Sequence, residues 1–127
     1  MRRSRSGAGL PTIPLACVLG TLFALAGPAG AAQYAPIDCK KAETPADRTV
    51  CGNYAPGQDE ARMATLYGIA TSLVAMGQRG DIEDAQRAFI RDREACGADV
   101  ACLKRVYATR IGQLDEVIAD IASRGPY

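Results

Sequence analysis

The sequence predicts an all-α protein: a small up-down-up helical bundle preceded by a short N-terminal helix and stapled by two disulfides. Three observations predict it. Apolar residues recur at three- and four-residue spacing through three long segments after residue 58. Glycine, proline and capping residues punctuate the chain between those segments. Four cysteines remain once an N-terminal export signal is set aside, an even number that suits bridging in an oxidising compartment.

The elements follow in chain order. Residues 1–32 read as a signal peptide and residues 33–127 as the domain. Arg2, Arg3 and Arg5 give a positive start, residues 15–26 form an apolar run, and Ala29, Gly30, Ala31 and Ala32 offer the small residues of a cleavage site. The run falls short of the roughly 18–20 residues that span a bilayer, so cleavage near Ala32 is preferred to an uncleaved anchor. Two variants of export are weaker. Ser4-Arg5-Ser6 follows Arg2-Arg3 where a twin-arginine signal wants apolar residues, and most of the apolar run lies after Cys17, where a lipidated cysteine should close it. The expected location is periplasmic or secreted, with no stable membrane insertion after cleavage.

Residues 33–38 should be an extended lead-in. Thr44 followed by Pro45, with Asp47 in the first turn, starts a short helix that stops at Gly52. Residues 53–57 carry loop chemistry. The next helix runs over residues 59–76, with Met63, Leu66, Ala70 and Leu73 on its apolar stripe and Tyr67 and Val74 beside it. Residues 77–80 end it, and Asp81 caps a third helix that buries Ile82, Ala85, Phe89 and Cys96 and leaves Arg87, Arg91, Asp92 and Glu94 mostly solvated. The last helix, residues 99–123, has the clearest stripe: Leu103, Tyr107, Ile111, Leu114, Ile118 and Ile121. Short connections between long helices imply antiparallel neighbours.

Cys39, Cys51, Cys96 and Cys102 allow three pairings. Local geometry favours Cys39 with Cys51 and Cys96 with Cys102. In one continuous helix, residues six apart lie about 9 Å apart along the axis, beyond disulfide reach. The second bridge therefore requires a helix break, which Gly97 as a C-terminal stop and Asp99 as an N-cap supply.

Charge and chemistry narrow the function. Three of the 15 basic residues and none of the 14 acidic ones precede residue 33, which leaves the domain at −2. That balance carries no electrostatic footprint for nucleic acid. The chain has no histidine, and no nucleophile elbow, phosphate loop or zinc-protease motif appears. The acidic pairs Asp59-Glu60, Glu83-Asp84 and Asp115-Glu116 read as solvated helix faces. No enzyme activity, no cofactor and no metal are expected.

One segment points further. Phe89, Ile90, Arg91, Arg93, Cys96, Cys102 and Leu103 set out a pattern of aromatic, apolar, Arg, any residue, Arg, two residues, Cys, five residues, Cys, Leu. Tyr107, Arg110, Ile111 and Leu114 continue it, and Asp38-Cys39, Val50-Cys51 and Leu66-Tyr67 lie upstream. The pattern resembles the LprI-like lysozyme-inhibitor family, with Phe89 standing where that family usually has Trp. The resemblance implies an exported helical domain that binds a lysozyme, or another envelope protein, and so protects peptidoglycan. It makes Arg91, Arg93, Glu94 and Arg110 the candidate partner surface or the residues that orient the hairpin. The alternative is an envelope structural or stress-associated interaction module without lysozyme activity.

Overall fold

The computed structural model describes residues 34–125; the signal-peptide reading falls on residues outside them. Among the described residues there are four α-helices and no strand: α1 (Pro45–Gly52), α2 (Tyr54–Leu73), α3 (Met76–Cys96) and α4 (Val100–Ser123). An extended lead-in and a single 3-10 turn, Cys39–Lys41, precede them.

The caps explain where two helices begin. Thr44 Oγ1 accepts the Asp47 amide at 3.0 Å, and Pro45 takes the first helical position, where its missing N–H costs nothing. Asp99 Oδ1 accepts the amides of Ala101 at 2.9 Å and Cys102 at 3.0 Å. Gly97 ends α3 with φ +54°, a left-handed backbone that a side chain would strain.

Two boundaries differ from the sequence reading. Residues 53–57 are not a loop, because α2 starts at Tyr54 and only Asn53 separates it from α1. Pro56 is buried in the first turn, where a helix tolerates proline, and the Gly57 amide donates to the Asn53 carbonyl at 3.0 Å to close that turn. The break between α2 and α3 lies at Val74 and Ala75, not at residues 77–80, and Asp81 sits inside α3 instead of capping it. Turning at Val74 keeps that side chain inside the core. Gly77 and Gly80 both lie inside α3, so neither glycine forces a stop. The shifted break also changes the stripe: Tyr67 and Val74 are buried, whereas Leu73 is 53% exposed.

Cross-helix contacts establish the topology. Cys96 meets Cys102, Phe89 meets Tyr107 and Gln86 meets Arg110, so α3 and α4 are antiparallel. Glu60 meets Arg93 and Met63 meets Gln86, so α2 and α3 are antiparallel. Glu60 with Tyr107 and Arg62 with Asp115 make α2 and α4 parallel. This is the up-down-up bundle, and α2 against α4 is its largest interface. The core holds Met63, Tyr67 and Ala70 of α2, Ile82 and Phe89 of α3, and Leu103, Tyr107, Ile111, Leu114 and Ile121 of α4, with Ala46 and Val50 of α1 closing one end. Disulfides join Cys39 to Cys51 and Cys96 to Cys102, with Cα atoms 5.6 and 5.5 Å apart.

Candidate functional site

Glu60 is where the chain concentrates its polar chemistry. It is 5% exposed and lies on the apolar face of α2, three residues before Met63 and seven before Tyr67. A carboxylate there must find partners, and it does. Oε1 accepts the Tyr34 hydroxyl at 2.7 Å and the Ile37 amide at 3.1 Å, while Oε2 accepts the Tyr107 hydroxyl at 2.7 Å. Arg93 faces it from α3, with Nη1 at 4.0 Å from Oε2.

Arg93 is 6% exposed, and its donors are spent inside the protein. Nη1 donates to the Tyr34 hydroxyl at 3.0 Å, and Nη2 to Asp47 Oδ1 at 3.0 Å and to Glu94 Oε1 at 2.7 Å. Burial works against the charge. The hydrogen bond to Glu94 and the charge of Glu60 act the other way, and the Arg93 proton affinity lies above the ordinary value. Burial and then the charge of Glu60 push the pKa values of Tyr34 and Tyr107 up, so both phenols stay protonated donors. The network thus ties the lead-in, α1, α2, α3 and α4 to one ion pair.

A second buried polar group lies further along the bundle. Arg110, 3% exposed, donates from Nε to Gln86 Oε1 at 2.8 Å, from Nη2 to the Ile82 carbonyl at 2.9 Å and from Nη1 to Gln113 Oε1 at 3.1 Å. Gln86 in turn donates to Met63 Sδ at 3.2 Å. All three acceptors of Arg110 are neutral, and burial lowers its proton affinity.

The four sequence-predicted candidates therefore separate. Arg91 is exposed, Glu94 is half-buried and committed to Arg93, and Arg93 and Arg110 are buried with their donors used inside. Neither Arg93 nor Arg110 presents its head group on an outer surface; both cross-tie helices. Glu60 is the residue sequence reasoning missed. Paired with Asp59 it reads as a solvated charge, yet its spacing from Met63 and Tyr67 places it on the inward face. That register was the available signal.

Three surface depressions flank these groups. A groove of about 190 Å³ lies between α3 and α4, lined by Ala88, Phe89, Asp92, Val106, Arg110 and Gln113. Cavities of about 400 and 230 Å³ lie on the two sides of the lead-in; Glu60 lines the first, Arg93 the second, and Ile37 lines both. Among the described residues there is no cluster of potential metal ligands, and no helix is long and apolar enough to cross a membrane. No protein-family model, no curated protein and no solved structure matches the chain.

Proposed function

We propose that the protein is exported to the cell envelope and acts there by binding, with a lysozyme as its partner and peptidoglycan protection as the result. The observation that carries the reading is the cysteine-closed α3–α4 hairpin. Its residues hold the pattern that resembles the LprI-like lysozyme inhibitors, and Cys96–Cys102 staples them at the turn. Two disulfides support a place in an oxidising compartment, periplasmic or secreted. On this reading the working surface is the outer side of the hairpin: the groove lined by Ala88, Phe89, Asp92 and Val106, with exposed Arg91 on the same helix as Asp92. Inhibition needs only a surface complementary to the enzyme cleft, so no catalytic group is required. The purified domain, added in large molar excess to a c-type lysozyme lysing cell walls, should slow the fall in turbidity; undiminished lysis would sink this partner.

A second reading, an envelope interaction module without lysozyme activity, is favoured by a different patch. Ile69, Leu73 and Met76 are exposed together around the α2–α3 connection, Met76 at 86%, and such apolar exposure suits contact with a protein. Substitution of Leu73 and Met76 by Ser should leave lysozyme inhibition unchanged if the hairpin is the working surface. Lysis undiminished by the wild-type domain would favour this second reading; loss of inhibition in the variant alone would rule it out and place the lysozyme contact on this patch.

A further inference from the structure

The two disulfides hold very different things. Cys96–Cys102 joins helix ends that are already fixed by Gly97 and the Asp99 cap, and Cys96 packs against the core. Cys39 is exposed, at the end of a lead-in that is held to the bundle at two residues, Tyr34 and Ile37, while Ala35, Pro36 and Asp38 are exposed. Residues 34–37 make no backbone–backbone hydrogen bond among the described residues. Their anchors are the Tyr34 hydroxyl on Glu60 and Arg93, the Ile37 amide on Glu60, the edge of the Tyr34 ring against Tyr67, centroids 6.0 Å apart, and the packing of the Tyr34 and Ile37 side chains on the core. The lead-in is therefore a strap laid over the Glu60–Arg93 pair, with a cavity on either side of it, and Cys39–Cys51 is its buckle.

We propose that Cys39–Cys51 is a thiol–disulfide exchange site for an external dithiol, and that its reduction lifts the strap off Glu60 and Arg93 while Cys96–Cys102 stays closed. The thiolate of the dithiol attacks the sulfur of Cys39, the exposed member of the pair. A mixed disulfide forms, the Cys39–Cys51 bond breaks, and Cys51 leaves as a thiolate that takes up a proton. The second thiol of the reductant then attacks its partner sulfur and expels Cys39. Two electrons pass to the protein, which holds two thiols, and the reductant becomes a disulfide.

The selectivity follows from what holds each pair once the bond is open. The caps keep the Cys96 and Cys102 thiols side by side, so their effective concentration stays high and the bond re-forms. Cys39 sits on a strap that is held at Tyr34 and Ile37 and has no backbone ladder among the described residues, so its thiol drifts from Cys51 and the open form persists. Lifting the strap joins the two cavities into one cleft whose floor carries Glu60 and Arg93, a site that exists only in the reduced protein.

The test uses the purified exported protein in dithiothreitol buffers of graded poise, with alkylation of free thiols, peptide mapping and hydrogen exchange. Cys39 and Cys51 should become labelled at about tenfold less reducing ratios than Cys96 and Cys102. The Ile37 amide, whose acceptor is the Glu60 side chain, is the reporter: its protection should drop at least about tenfold while amides in α2 and α4 keep theirs. Opening of Cys96–Cys102 first, or of both bonds together, overturns the proposal. So does unchanged Ile37 protection in protein reduced only at Cys39 and Cys51. The Cys39→Ser, Cys51→Ser double variant gives an independent reading. It should keep the helical circular dichroism of the wild type and show the fast Ile37 exchange; loss of helix in that variant would make the buckle part of the fold and refute its role as a switch.

Discussion

At the scale of single residues, a charge is tolerated in this small core because each end of it is answered. Removing one end leaves the other stranded. Arg93→Met should therefore cost about 3–5 kcal/mol by urea unfolding, since Glu60 and Asp47 lose their buried counter-ion. Arg91→Ala, two positions away and exposed, should stay within about 0.5 kcal/mol. A result with the two reversed would mean that α3 presents a different face. The phenols add a pH dependence whose sign is fixed. Tyr34 and Tyr107 hold their protons more tightly folded than unfolded, so the stability they confer is full below the ordinary phenol value of 10.0 and is lost as pH rises beyond it. Their phenolate absorbance, isolated by difference from Tyr34→Phe and Tyr107→Phe variants, should appear above pH 10 and together with the loss of helical signal. Ionisation at pH 10 in an intact bundle would show the two hydroxyls to be open to water. Little of this network is legible in the sequence. Tyr107 reads as core and Arg93 as part of a charged surface, because pairing across 33 to 59 positions leaves no local trace. Only the register of Glu60 betrays a buried acid.

Among the elements, α4 is the most legible and α3 the least. The stripe of α4 lies where periodicity puts it, because every fourth or third position meets α2 or α3 and nothing competes. The start of α3 depends instead on where Val74 must point, a tertiary demand that outweighs Gly77, Gly80 and Asp81. The helix accordingly begins without a side-chain cap, its N-cap being Ala75. Two consequences are measurable. Gly80→Ala should raise stability by about 0.5–1 kcal/mol, since the position is helical and open. Gly97→Ala should lower it by about 1–2 kcal/mol, because a side chain is strained at φ +54°. A thermal-unfolding series on the two variants checks both signs at once, and stabilisation of Gly97→Ala would mean that the α3–α4 turn is remade. The break at Gly97 and Asp99 was legible because the six-residue cysteine spacing demands one, and the cap residues stand in place to make it.

Over the whole molecule, the surface and the interior answer to different variables. The exposed pairs Arg62–Asp115, Arg87–Asp84 and Arg124–Asp120 lie in water, where each contributes at most about 1 kcal/mol and salt screens it. The Arg93 cluster is shielded from ions by its burial. Raising sodium chloride to about 1 M should thus lower the unfolding free energy by no more than the roughly 3 kcal/mol that three such pairs could supply together; a larger loss would place the decisive electrostatics on the outside. The largest interface has a consequence in time. The α2–α4 contact joins an early helix to the last one, and Tyr107, the donor that completes Glu60, belongs to that last helix. A chain threaded outward from its N-terminus cannot close its core until α4 has emerged. Until then Glu60 and Arg93 have no dry interior to occupy, and the emerging chain has no closed core. The order of the helices along the chain thus places core closure at the very end of its emergence.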